Sequence, residues 1–197
     1  MLVVGLDEAG CGPAFGELVA SAVVLPDNPI EGLADSKKLT PKKRAALYQQ
    51  ITNPESGCTV GVGRVSNTEI DAHGLARARR VVFHRALDDL CENGVSPTDI
   101  SKIIVDGTIF EPWQDIDYEC IVKADDKIPC VSAASIVAKV SRDTALLQMC
   151  EEFPHLKTHY KLHLNKGYLT KDHIGGIKEH GLTDWHRKSY EIKALSR

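Results

Sequence analysis

Leu2-Val3-Val4-Gly5-Leu6-Asp7-Glu8-Ala9-Gly10-Cys11-Gly12-Pro13 opens the chain and decides how the rest is read. Residues 2–7 read as a buried strand, and Gly10 to Pro13 as a chain-breaking bend. Acids at the end of an apolar strand face water or a ligand, because an unpaired carboxylate inside a core is costly. Neighbouring strand side chains point to opposite faces, so Asp7 and Glu8 can share one site only if the chain bends at once. The glycines that follow could supply that bend.

Outward from this stretch, residues 18–25 predict a second strand and residues 58–65 a third, whose alternating glycines allow close approach of another backbone. Thr40-Pro41 predicts a helix start, running to about Ile51. A long helix is expected from Asn67 to about Cys91, closed by Asn93-Gly94. Short strands follow at residues 103–106 and 118–122. A helix rich in Ala and Ser is expected over residues 132–152, and a last one over 170–180, capped by Gly181. The sum is a mixed α/β sheet. Asp106 closes the fourth strand and Asp125 follows the fifth by three residues. Each acid taken alone reads more readily as a turn former than as a ligand. Three or four meeting at one edge would need cations, and oxygen ligands without Cys or His suit Mg²⁺ or Mn²⁺.

Composition narrows the class. At 197 residues with 43% hydrophobic and 26% charged residues the chain is that of a globular protein. Residues 19–25, interrupted by Ser21, are too short to span a bilayer, so no membrane association is expected. The first residues lack the pattern of a secretory signal. Six cysteines without C-x-x-C spacing then predict free thiols and a cytoplasmic location. The net charge is −3, yet residues 157–197 carry nine Lys/Arg against four Asp/Glu, so an acidic body adjoins a basic end. His159 and His163, four apart, lie in a segment without helical periodicity and are read as surface groups.

The segment from Gly5 to Pro13 closely resembles the opening motif of ribonuclease HII, usually D-E-A-G-R-G-P. The resemblance continues through Asp35-Ser36-Lys37-Lys38-Leu39, Val105-Asp106-Gly107 and Lys123-Ala124-Asp125, and along residues 132–143. It ends in Lys166-Gly167-Tyr168 and His186-Arg187-Lys188-Ser189-Tyr190. It implies a ribonuclease H-like mixed sheet flanked by helices, with residues 1–152 as catalytic domain and 153–197 as a basic helical segment packed on it. It implies an endoribonuclease that cuts the RNA strand of RNA–DNA hybrids, and ribonucleotides embedded in duplex DNA, with two divalent ions held by Asp7, Glu8, Asp106 and Asp125. Asp126 is set aside as a bystander and Asp143 as an ion-pair partner of Arg142.

By the same resemblance, Gly10, Cys11 and Gly12 read the ribose 2′-hydroxyl through backbone groups, and Tyr168 stacks on the sugar beyond the scissile bond. Lys37 and Lys139 would contact phosphates, as would Lys38, Lys166 and Arg187. Two departures stand out: Cys11 replaces the family's arginine, and the stretch before Tyr168 is four residues longer than usual and lacks Y-G-F. A monomer is expected, with Asp7 too near the start for the extra N-terminal domain of a related type. Residues 188–197 show no clamp-binding motif, which leaves a sliding-clamp partner open. A non-catalytic hybrid-binding protein and a DNA-specific nuclease of the same superfold are the competing readings.

Overall fold

Strand β1 (Leu2–Ala9) forms the middle of the sheet, with Val4 and Leu6 fully buried. In the computed structural model, which describes residues 1–28 and 30–195, it runs antiparallel to β2 (Leu18–Val24) and parallel to β4 (Ile100–Asp106). Outside them lie β3 (Thr59–Val65) and the short β5 (Tyr118–Ile121), giving the order β3-β2-β1-β4-β5. Every residue of β2 is buried, as expected of a strand covered on both faces. Ser196 and Arg197 of the expected basic segment fall outside the described residues.

Helices cover both faces. Helix α1 (Pro41–Thr52) begins where Thr40 accepts the Lys43 N–H, with proline at its first turn. On the opposite face from α1 lie α2 (Asn67–His73) and α3 (Leu75–Glu92). The single helix expected here is two. Gly74 sits at φ 78°, ψ 155°, a conformation that breaks the hydrogen-bond ladder and re-aims the chain across the sheet. Gly61 and Gly63 then let α3 lie directly on β3. A Cβ at either would come within 2.2 Å of a helix carbonyl, Ala86 or Val82, one turn apart.

Helix α4 (Pro129–Glu152) crosses the other face, three residues longer at its start than expected because Pro129 is tolerated in a first turn. It rests on β1 through Gly5, where a Cβ would meet the Cys130 carbonyl carbon at 2.3 Å. Its small buried residues, Ser132 to Ser135, permit that approach. Beyond it the one-turn helices α5 (His155–Thr158) and α6 (Leu162–Asn165) and the longer α7 (Lys171–His180) enclose a second core of Phe15, Leu146, Leu156, Tyr160 and Ile177. The segment around His159 and His163 that lacks helical periodicity is thus two helical turns joined through Lys161 at φ 53°. Four residues per turn leave no room for a sequence period. All six cysteines are free, and among the described residues no helix is long and apolar enough to cross a membrane.

Candidate active site

The sheet brings three of the four expected acids together. Asp7 leaves β1, Asp106 ends β4, and Asp125 sits in the single 3-10 turn Ala124–Asp126 after β5. One carboxylate oxygen from each lies within 4.8 Å of the others. The parallel pairing of β1 with β4 places their C-terminal ends side by side, and Lys123 at φ 59° turns the chain so that Asp125 comes back toward them. The Ala124 N–H donates to Asp106 Oδ1 at 2.8 Å, tying that turn to the strand end.

Burial and mutual repulsion act on this cluster together. Asp7 is only 5% exposed; burial first, then the charge of Glu8, raise its pKa well above the ordinary carboxylate value. Asp125 is pushed to about 6 by burial, then by Asp106 and Asp35, against the opposing charge of Lys37. Like charges held this close out of water favour protons or cations. Lys37 is the reverse case. Burial disfavours its charge, but Asp35 and Asp7 outweigh that and raise its pKa.

Glu8 is placed differently. Strand β1 stays regular through Ala9 and the bend begins only at Gly10, too late to turn both acids to one side, so they alternate faces. Asp7 faces α4, where Ser135 lines the same cleft, while Glu8 turns toward α3. There Arg79 Nη2 pairs with Glu8 Oε1 at 2.7 Å, and the Cys11 thiol donates to the same oxygen at 3.3 Å. The Cys11 pKa rises to about 12, first through burial and then through Glu8, so its sulfur is a neutral donor and a poor nucleophile.

Next to the acids runs the glycine bend. Gly10 adopts φ 109°, and a cleft of about 280 Å³ extends from Asp7 past Gly12 to Tyr168, which is half exposed. Two buried arginines hold the bend. Arg187, 1% exposed, donates to the carbonyls of Gly10 (2.7 Å), Gly16 (2.9 Å) and Glu17 (3.0 Å), and Tyr190 donates to the Cys11 carbonyl at 2.7 Å. Arg142 donates to the carbonyls of Phe15, Glu17 and Lys166. The expectation that Arg187 meets phosphate is therefore corrected: its guanidinium is consumed by carbonyls inside the protein. Asp143 pairs most closely with Lys139, at 2.8 Å and one helical turn away, and keeps only a long contact with Arg142, whose Nη1 lies 4.0 Å from the same oxygen.

The remaining lysines separate. Lys37 and Lys139 line the cleft. Lys38 pairs with Asp126 at 2.6 Å, so the acid set aside has a local partner. Lys166 donates to the His163 carbonyl. Sequence reasoning missed Arg79, Ser135 and the loop-holding roles of Arg142 and Arg187. An arginine inside a matched motif gives no hint of whether its guanidinium faces a ligand or a carbonyl.

The strand order, the helices on both faces and the acids at the strand ends define a ribonuclease H-like fold. Ribonuclease H2 from Pyrococcus horikoshii OT3 superposes with a TM-score of 0.75 at 28% identity, covering 97% of this chain and 94% of that one. The sequence profile for Ribonuclease HII matches residues 4–193. A Ribonuclease HII of Polynucleobacter asymbioticus is 45% identical over 190 residues, 95% of this chain and 92% of that protein. One from Francisella tularensis subsp. novicida is 42% identical over 97% of both. The chain belongs to the ribonuclease HII family and is an endoribonuclease.

Proposed function

We propose that this enzyme hydrolyses the RNA strand of RNA–DNA hybrids, and cuts duplex DNA at embedded ribonucleotides, leaving 5′-phosphate and 3′-hydroxyl ends. Asp7, Asp106 and Asp125, with Glu8 as a fourth ligand, would hold two ions of Mg²⁺ or Mn²⁺. The reading rests on one observation above others: three carboxylate oxygens from three separated segments lie within 4.8 Å of one another beside a glycine bend. The donor set fits the group, since hard divalent cations take carboxylate oxygens and relieve the repulsion that raises these pKa values. Two such ions, when bound, lower the pKa of an attacking water and stabilise the departing oxygen.

The chain's own residues supply position and discrimination. The backbone of Gly10 to Gly12, fixed by Arg187 and Tyr190, can approach a sugar without a side chain between them. That suits recognition of the 2′-hydroxyl, the group that separates RNA from DNA. Lys37 and Lys139 add salt-sensitive attraction for phosphates. Tyr168 stands over Gly12, where an added Cβ would lie 3.2 Å from its ring, and offers an exposed face for stacking on the sugar. Tyr168→Ala is expected to raise KM for a hybrid on the order of tenfold with a smaller effect on kcat, and Tyr168→Phe to restore it.

The substrate class is tested by cleavage of three duplexes under one condition: an RNA–DNA hybrid, duplex DNA with one ribonucleotide, and all-DNA duplex. The first two are expected to be cut and the third left intact. Cutting of the all-DNA duplex would point to a DNA nuclease, and cutting of none to a binding protein.

The acids also predict a pH signature in the metal-free protein. The folded-state pKa of Asp125, about 6, lies above its ordinary value near 4. Its contribution to stability is full below that ordinary value and is lost as pH rises through 6. The buried His173 and His186, whose pKa values fall through burial, give the opposite slope, but that slope is common to wild type and variant. Asp125→Asn in EDTA should therefore gain Tm relative to wild type from pH 4.5 to 7, on the order of 5 °C. A difference that stays flat across that window would contradict the shift.

A further inference from the structure

Glu8 holds an unfinished position. Its Oε1 takes both available donors, Arg79 Nη2 and the Cys11 thiol, while its Oε2 is shut off from solvent with no hydrogen-bond partner. Arg79 Nε is also buried without a partner. A buried carboxylate oxygen left unpaired is costly, so this arrangement has unused capacity on both sides. The pair is held by a single N–O contact.

Its surroundings direct where that capacity points. Glu8 lines the same cleft as Asp7, which places it at the border of the aspartate cluster. Arg79 reaches the same border from α3, whose direction is set by the break at Gly74. The guanidinium passes over Gly107, next to Asp106; an added Cβ there would lie 3.6 Å from Nη2. Arg79 thus stands between Glu8 and the end of β4, on the opposite face of β1 from Asp7.

We infer that Arg79 is a positioning residue that holds Glu8 on the α3 side of β1 and competes with a divalent cation for its carboxylate. Glu8 joins the three aspartates only when that ion pair opens, so Arg79 sets how tightly the Glu8 side of the cluster binds an ion. This inference rests on the proposed role of Asp7, Asp106 and Asp125 as ion ligands. The two ideas fail differently.

The test is calorimetric titration of Mn²⁺ into the full chain. Arg79→Met keeps the buried stem and removes the guanidinium. It is expected to tighten Mn²⁺ binding at least fivefold, and Arg79→Gln to do the same if the Met variant does not fold. Arg79→Lys, which retains the charge, should stay within about twofold of wild type. Loss of a positive charge alone would tighten any cation, so the deciding comparison is a double-mutant cycle. In a Glu8→Gln background, where only that general charge effect remains, Arg79→Met should tighten Mn²⁺ at least twofold less than it does with Glu8 present. Unchanged or weaker binding in Arg79→Met, or equal tightening with and without Glu8, overturns the inference. If instead Asp106→Asn binds Mn²⁺ as wild type does, the aspartate site is wrong.

Discussion

Asp106→Asn is expected to lower kcat for hybrid cleavage on the order of 10³-fold or more while leaving the fold intact. Asparagine keeps the side-chain oxygen that accepts the Ala124 N–H, so the turn bearing Asp125 stays tied to β4. What disappears is one of three negative charges that converge within 4.8 Å. Divalent-ion sites contribute several kcal/mol to charge stabilisation in the transition state, and each 1.36 kcal/mol is worth tenfold in rate. Relief of repulsion with Asp125 and Asp7, both of whose pKa values Asp106 raises, should also leave the metal-free variant at least as stable as wild type. Cleavage rates and Tm in EDTA check both halves. Wild-type kcat in this variant would remove Asp106 from the chemistry, and a fall in Tm of more than a few degrees would make the activity loss structural.

Arg187→Met carries the largest expected effect on stability. The side chain is 1% exposed and its donors reach the backbone carbonyls of Gly10, Cys11, Gly16 and Glu17 and the Tyr190 hydroxyl. Methionine fills much of the volume but leaves the carbonyls of Gly10, Gly16 and Glu17 without that partner inside the protein. Leaving a buried carbonyl without its donor costs about 1–3 kcal/mol, and several together lower Tm on the order of 10 °C for a chain of this size. The released bend includes Gly10, so hybrid cleavage should fall more than the folded fraction does. Thermal denaturation at several pH values, with activity measured well below Tm, separates the two effects. A Tm within 2 °C of wild type would contradict the loop-holding role.

Much of this architecture is legible in the residue order, for reasons that differ by element. Strand β2 and helix α7 announce themselves through an apolar run and through Thr170 and Gly181 at the helix ends. The glycines of β3 predict a close backbone neighbour, and Ala86 and Val82 of α3 are that neighbour. Strand β4 begins at Ile100, three residues before its apolar run. Lys102 pairs with Glu119 of β5 and Ser101 bonds the Leu2 carbonyl, so polar residues there serve the sheet without an apolar signature.

Within the candidate site, the three aspartates are readable because each ends or follows an apolar run of sequence. Glu8 is readable as an acid, but its aim depends on strand alternation and on Arg79, seventy-one residues away in sequence. Long-range ion pairs of that kind leave no local pattern. The same holds for Arg187, whose motif reveals its presence but not that carbonyls surround it. Cys11 is a visible departure from the family motif, and its hydrogen bond to Glu8 emerges only from the fold.

The proposed function requires that carboxylates from three separated segments form one divalent-ion site. Anomalous diffraction from crystals of the wild-type protein equilibrated with Mn²⁺ addresses it without reference to activity. Manganese peaks bounded by Asp7, Asp106 and Asp125 are the predicted result, absent in crystals of Asp106→Asn treated alike. Manganese located only elsewhere on the protein, or undiminished peaks in the variant, would contradict it.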